Sequence, residues 1–331
     1  MNAHDFITEA LAEKGQFDSV YWVACGGSVI DLYPAHCLVQ HESATLTSGF
    51  YTAAEFNLYP PKKLNGKTLV VLCSHSGNTP EVAEAGDISS AAGATILALT
   101  DTAGSRIDQE RWATWVYPWG EDIPQAEVPI GITLKVAAEL IRAQEGLGIF
   151  DDLMAGIAAI DDVLIGARQK VNTELGERFA RLCQEHDFLY ILGSGPNYCQ
   201  TYGMAICSLM EMQWQHCCYL NSAEYFHGPF ECTEPGVFYF LQLGSGAARS
   251  MDERALAFLK EHTDTLMVLD AQEYGMDAIP QAARDYLDPA LFYAMNVELR
   301  AARGKAFDHD PDIRRYMGVV PASVHFPRML R

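Results

Sequence analysis

Two residues in this chain have the types and setting for proton transfer. Glu211 stands in the apolar run LMEMQW of residues 209–214, and His227 follows sixteen positions later in the segment AEYFHGPFE of residues 223–231. On a helix, Met204, Cys207 and Trp214 would flank Glu211. Such neighbours would desolvate its carboxylate and raise its pKa toward the working pH, which suits a general base. Gly228 and Pro229 keep the next loop out of helix and offer His227 as an acid on a constrained turn. The plainer alternatives are a glutamate tied to backbone or an arginine, and an ordinary satisfied loop histidine. Glu224, three residues before His227, either orients that imidazole or faces solvent. Glu211, His216, Glu224 and His227 together form a rival metal-site reading. The vicinal pair Cys217–Cys218 beside His216 lacks the spaced ligand pairs of structural zinc sites, so no metal and no cofactor is expected.

A second constellation suits an anion. Ser74-His75-Ser76-Gly77-Asn78-Thr79 joins an apolar strand, Thr68–Cys73, to a helix opened by Pro80 and Glu81. The pattern predicts Thr79 as N-cap, with Pro at the first helical position. Free backbone N–H groups and the helix dipole favour a phosphate there. The hydroxyls of Ser74, Ser76 and Thr79 add donors, and Gly77 permits close backbone approach. A polar turn with an ordinary cap is the alternative. Gly26-Gly27-Ser28 ends the first β-rich run in a similar way. Neither loop has GxGxxG spacing or a Gly-Lys-Ser/Thr ending, which excludes dinucleotide and P-loop readings.

These loops need a scaffold, and the pattern supplies one. Strand-like runs at 19–25, 68–73, 95–101 and 114–119 alternate with helical stretches at 29–43, from 80 onward, and at 128–144. Pro34 marks a kink or an early break in the first of these helices. Such alternation predicts an α/β fold with parallel sheet covered on both faces. A helical connection is expected over 151–185. The plan then repeats: FLYILGSGPNYC matches VYWVACGGSVID, and VFYFLQLGSGAARS matches TLVVLCSHSGNTPE. From Val20 to Thr68 is 48 residues and from Phe188 to Val237 is 49; the next intervals, to Thr95 and Thr265, are 27 and 28. Matched spacing of this kind marks a duplicated unit. Two subdomains are expected, 1–158 carrying the phosphate loops and 159–331 carrying Glu211, His227 and the C-terminal tail. The second half keeps its turn glycines but has fewer hydroxyls, which points to divided labour and a site between halves or between subunits.

Composition sets the outer bounds. The 331 residues carry a formal net charge of −20, which excludes a general phosphate-backbone binder, so no nucleic-acid partner is expected. No apolar run reaches the ~18 residues that span a bilayer, and the first residues do not read as a signal peptide. Nine cysteines without a CxxC pair suggest reduced thiols and a cytoplasmic setting.

CGGS at 25–28, SHSGNTPE at 74–81, MEMQW at 210–214, AEYFHGPFE, MDERALAFLK at 251–260 and RRYM at 314–317 together resemble the SIS (sugar isomerase) superfamily. Within it the chain is similar to the deglycases of 6-phosphorylated Amadori compounds, over nearly its whole length. The resemblance implies two tandem SIS subdomains, each a flavodoxin-like three-layer α/β/α unit. It implies a phosphate site of Gly27, Ser28, Ser74, His75, Ser76, Asn78 and Thr79, with Glu211 as base and His227 as acid. Glu224 and, from the tail, Tyr316 would line the substrate. It also implies a homodimer with the site at or near the subunit interface. A phosphorylated sugar-amine such as fructoselysine 6-phosphate would be the substrate, and glucose 6-phosphate a product. Ser208 and Met210 stand where the related glucosamine-6-phosphate synthase has lysines, which argues against amide-nitrogen transfer. An aldose–ketose isomerase and a non-catalytic phosphosugar sensor are the alternatives, the latter without a helix-turn-helix or basic segment. The chain departs from relatives at its end, PASVHFPRMLR.

Overall fold

The computed structural model describes residues 1–120 and 122–320. The departure at the chain's end, residues 321–331, lies outside the described residues. The first half runs α1 (Ala3–Lys14), β1 (Ser19–Ala24), α2 (Gly27–Glu42), β2 (Thr47–Thr52), α3 (Ala53–Leu58), β3 (Thr68–Cys73), α4 (Pro80–Ala91), β4 (Thr95–Thr100), β5 (Ala113–Val116) and α5 (Pro129–Glu145). A long helical passage follows, α6 (Phe150–Val171) and α7 (Glu177–Glu185) joined by a π-helical stretch at Asn172–Gly176. Residue 158, the expected boundary, falls inside α6. The second half runs β6 (Phe188–Gly193), α8 (Tyr198–Tyr202), a π-helix (Gly203–Glu211), β7 (His216–Asn221), β8 (Phe238–Leu243), α9 (Arg249–His262), β9 (Leu266–Asp270) and α10 (Arg284–Ala306).

All strand pairs are parallel, in a five-stranded sheet ordered β2-β1-β3-β4-β5 and a four-stranded sheet ordered β7-β6-β8-β9. Parallel strands need crossover helices, and helices on both faces leave no polar side to a central strand. The central strands SVYWVA, TLVVLC and FYFLQL are accordingly buried at every position. One core joins the halves: Trp22, Leu38, Ile132, Ile160, Phe179, Phe240 and Leu291 belong to a single cluster drawn from strands of both sheets and from α2, α5, α6, α7 and α10. Pro34 neither breaks nor ends α2, which continues through it with the ring buried in this core.

Both sheets share the strand order 2-1-3-4, whose switch point lies between β1 and β3 in one and β6 and β8 in the other. The loops at the carboxyl ends of those strands are where such sheets bind ligands.

Candidate active site

At the first switch point the two phosphate loops face each other. The His75 amide donates to Ser28 Oγ across 3.3 Å, tying the loop after β1 to the loop after β3. Two helix N-termini open on the crevice. Gly26 caps α2 and has no side chain to cap with. Thr79 caps α4, as its position predicts, but its hydroxyl does not bond a helix amide; it pairs with Ser74 Oγ at 3.0 Å. Among the described residues the Ser76 and Thr79 amides have no protein partner. Those N–H groups, the dipoles behind them and the exposed Ser76 hydroxyl form an anion cradle. Gly77 holds the loop's reversal at φ +64°, and a side chain there would overlap the Ser105 hydroxyl and meet Thr100 Oγ1 at 2.6 Å. Asn78 fastens the far side: its Oδ1 accepts from the Arg106 amide at 3.3 Å and its Nδ2 donates to the Ser76 carbonyl at 2.9 Å.

His75 is clamped rather than free. Its Nδ1 shares a hydrogen bond with the Tyr117 hydroxyl at 3.0 Å, its Nε2 lies 3.2 Å from Asp101 Oδ2, and its ring meets Trp119 edge-on at 4.9 Å. Tyr117 and Trp119, just past β5, were not singled out in the sequence. Their position beyond a strand's carboxyl end is the signal that could have found them.

Glu211 ends the π-helix of residues 203–211, and its surroundings differ from the apolar ones expected. The carboxylate is ion-paired with Arg314, Nε to Oε1 at 3.0 Å, and its side chain is 27% exposed. The expectation placed Met204, Cys207 and Trp214 at i−7, i−4 and i+3 of a regular helix; a π-helical turn widens that spacing, and Trp214 lies beyond the helix. Beyond Met212 the chain leaves the helix, and Trp214 takes a left-handed backbone at φ 55°. The tail folds over this corner: His309 Nε2 bonds the Met212 carbonyl at 2.8 Å, and the Arg315 guanidinium stacks on Trp214 at 4.0 Å. Glu211, Arg314, Arg315 and the largely exposed Tyr316 line one open cavity of about 430 Å³.

His227 closes a short 3₁₀ turn whose amide donates to the Glu224 carbonyl at 2.9 Å. Both side chains are exposed, and the Glu224 carboxylate makes no contact with the imidazole. The structure gives His227 no side-chain partner among the described residues and does not bring it to Glu211 of its own chain. No cluster of three metal-ligating side chains occurs among the described residues.

A cavity of about 290 Å³ lies between the loop after β1 and the π-helix that ends in Glu211, although neither Glu211 nor Ser76 is among the residues that line it. Gly27, Ser28 and His75 line one end; Cys207, Ser208 and Met212, around Glu211 in sequence, line another; Tyr293, Asn296 and Arg300 of α10 close the floor. Asp31 of α2 also lines it, and burial pushes that carboxyl up to about 7. Asp31, Arg300 and Arg314 are further residues the sequence reading missed. An acid inside the apolar helix VIDLYPA was the available sign for Asp31.

The fold is that of phosphosugar-isomerase-type proteins, as solved structures show. A Bacillus subtilis chain of the phosphosugar-isomerase type superposes with a TM-score of 0.92 at 33% identity, covering 96% of each chain. The C-terminal domain of glucosamine-fructose-6-phosphate aminotransferase from Francisella tularensis shares the fold, with a TM-score of 0.78 at 16% identity over 94% of this chain and 90% of that one. Comparison with protein-family models finds no match. Among characterised sequences, the fructosamine deglycase FrlB of Bacillus subtilis is 34% identical over 305 residues, 92% of this chain and 93% of that protein. The fructoselysine 6-phosphate deglycase of Escherichia coli is 29% identical over 320 residues, 96% of this chain and 91% of that protein. The chain belongs to the fructosamine deglycase family.

Proposed function

We propose that this protein is a deglycase of fructosamine 6-phosphates, releasing glucose 6-phosphate and a free amine with water. The observation that carries the reading is the cavity joining the anion cradle at Gly27, Ser28 and His75 to the helix that ends in Glu211. The names of the relatives supply the substrate class. The cradle holds the 6-phosphate, and the sugar extends toward Glu211. In the open-chain form Glu211 takes a proton from C1, giving an enaminol, and returns it to C2, giving an aldimine. Water then adds at C1 and the amine leaves. The Arg314 guanidinium, 3.0 Å from Oε1, holds the carboxylate in place for that transfer. His227 is the acid for the sugar oxygen and the amine. Its exposure, outside the cavity that Glu211 lines, supports a homodimer in which it serves the partner's site. Nine free thiols support a reducing, cytoplasmic setting.

The test is release of glucose 6-phosphate from fructoselysine 6-phosphate, with Glu211→Gln as the key variant. Glu211→Gln should bind the substrate and lose turnover by roughly 10²–10⁴-fold. Near-normal turnover would remove Glu211 from this role. Interconversion of fructose 6-phosphate and glucose 6-phosphate, with no amine released from an adduct, would favour the isomerase reading.

A further inference from the structure

The cavity between the loop after β1 and the π-helix holds neutral polar side chains that the proton transfers do not use. Gln200 of α8, Ser208 of the π-helix and Asn296 of α10 all line it, and each is more than nine-tenths buried. A buried amide or hydroxyl normally finds a partner within the protein, because leaving one unpaired costs about 1–3 kcal/mol. Here the bonding capacity is left over. Among the described residues the Gln200 and Ser208 side chains make no hydrogen bond, and Asn296 Nδ2 has no acceptor.

Other buried side chains of the same types are satisfied. A helical hydroxyl usually bonds back to a carbonyl three or four residues earlier. Ser89 does so to Ala85 at 2.7 Å, Thr133 to Ile130 at 3.1 Å and Thr201 to Tyr198 at 2.7 Å. Ser208, on the wider π-helical turn, does not. Asn296 is fixed from behind. Its Oδ1 accepts from Gln242 Nε2 at 2.9 Å, and Gln242, fully buried in β8, accepts from Asn197 Nδ2 at 3.5 Å. That chain of amides sets which end of Asn296 is left over, and it is the donor end. Gln200 adds a whole amide, donor and acceptor, and Ser208 a hydroxyl. Neutral groups that both give and take hydrogen bonds suit alcohol oxygens, which do the same. The phosphate has its own place in the cradle, so the oxygens these groups await belong to the rest of the sugar.

We propose that Gln200, Ser208 and Asn296 hydrogen-bond the hydroxyls at C3 and C4 of the phosphosugar and so select for them. The inference rests on the deglycase reading, in which C6 carries the phosphate and C1 and C2 react. It deepens that reading by naming what recognises the carbons in between. Gly27 and Ser28 line the cavity at the phosphate end, and Ser208 lines it three residues before Glu211. A six-carbon chain anchored by its phosphate therefore lays C3 and C4 along the middle. A site whose buried groups await a hydroxyl rejects an analogue that lacks it, because those groups stay unpaired beneath the ligand. These three are specificity residues, and proton transfer stays with Glu211.

Removing single hydroxyls from the ligand tests this. Calorimetry compares glucose 6-phosphate with its 3-deoxy and 4-deoxy analogues, which keep the phosphate, C1 and C2. The wild-type protein should bind each analogue about 10- to 100-fold more weakly. Equal affinity for all three ligands overturns the proposal, and that result depends on no variant folding. Gln200→Leu and Ser208→Ala should each weaken glucose 6-phosphate and shrink the loss caused by at least one missing hydroxyl, since a contact already removed cannot be removed again. Losses that stay unchanged in both variants also overturn it, and that is the result a purely structural role would give. Release of glucose 6-phosphate from fructoselysine 6-phosphate separates the two readings. Discrimination against the deoxy analogues without such release supports the hydroxyl contacts and sinks the deglycase reading. Release together with equal binding of the analogues sinks the contacts alone.

Discussion

The loops after β3 and β8 hold the same place in the two sheets and do opposite things. After β3, the Ser76 and Thr79 amides have no partner among the described residues, and Ser76 is exposed. After β8, the chain's own carboxylates take the corresponding donors. The Ser245 amide and hydroxyl donate to Asp288 at 2.7 and 2.5 Å, the Ala247 amide to Asp285 at 3.0 Å, and the Gly244 amide to Asp252 at 3.3 Å. A side chain at Gly246 would overlap the Asp285 carboxyl, so the loop closes down on it. The second cradle keeps the geometry of an anion site and fills it from within. The cavity above it, at about 1040 Å³ the larger of the two, is lined by Glu42, Asp152 and Asp285, which repel a phosphate. Size therefore says less about the ligand than the state of the loop amides does. In the second half aspartates at three positions accept from the loop donors that the first half leaves open.

The comparison breaks most sharply at Gly77. Gly77→Ala forces a side chain onto the Ser105 hydroxyl and into a left-handed backbone. The loop must move, and binding of glucose 6-phosphate should weaken by about 100-fold or more, at a stability cost of roughly 1–3 kcal/mol. Calorimetry and denaturant unfolding read the two effects separately. Unchanged affinity would show that the loop geometry does not matter to the phosphate. Ser76→Ala is gentler. It removes one exposed hydroxyl and leaves the amides, so KM should rise about tenfold with kcat little changed. Ser245→Ala, at the matching place in the other half, should leave KM where it is and cost about 1–2 kcal/mol of stability. Equal KM effects of the two serine variants would erase the distinction between the cradles.

The sequence showed the first cradle, the duplication and the parallel strands plainly, because each is written in short local patterns. Central strands such as TLVVLC are apolar throughout, and Ser74–Thr79 is dense in small donors. It did not show why the second cradle is closed. Asp285 and Asp288 are 38 and 43 residues from the amides they fill, and they sit on α10, a helix the reading passed over. Long-range polar contacts leave no periodicity to read. The same holds for Arg314 and Glu211, which are 103 residues apart. The π-helix at 203–211 misled in a different way, because a 3.6-residue period assigned Glu211 neighbours that the wider turn rearranges. β2, with its mixed exposure, and the short α3 gave too weak a pattern to be seen.

A closed cradle should also carry a pH signature that the open one lacks. Asp288 is fully buried, and that burial pushes its carboxyl from 3.8 up to about 7; Asp252, likewise buried, is pushed to about 6. Asp285, raised by burial as well, and Asp252 face Asp288 and add repulsion once ionised, while the Ser245 donors act against the shift. With a folded pKa above the unfolded one, the folded protein holds a proton that the unfolded chain releases. The stability this contributes is complete below about 4 and is lost as pH rises through about 7. Asp288→Asn has the same shape and can keep both Ser245 contacts, but it has no proton to lose. Between pH 5 and 8 the wild-type protein should therefore lose about 2–3 kcal/mol more stability than the variant does. Urea unfolding at a series of pH values measures this directly. The effect on function should be the smallest of the set, with KM for the phosphosugar unchanged at either pH. Parallel stability profiles for the two proteins would mean that Asp288 is already ionised at pH 5 and that the loop amides, not burial, govern it. A rise in KM would mean that the second cradle still communicates with the first.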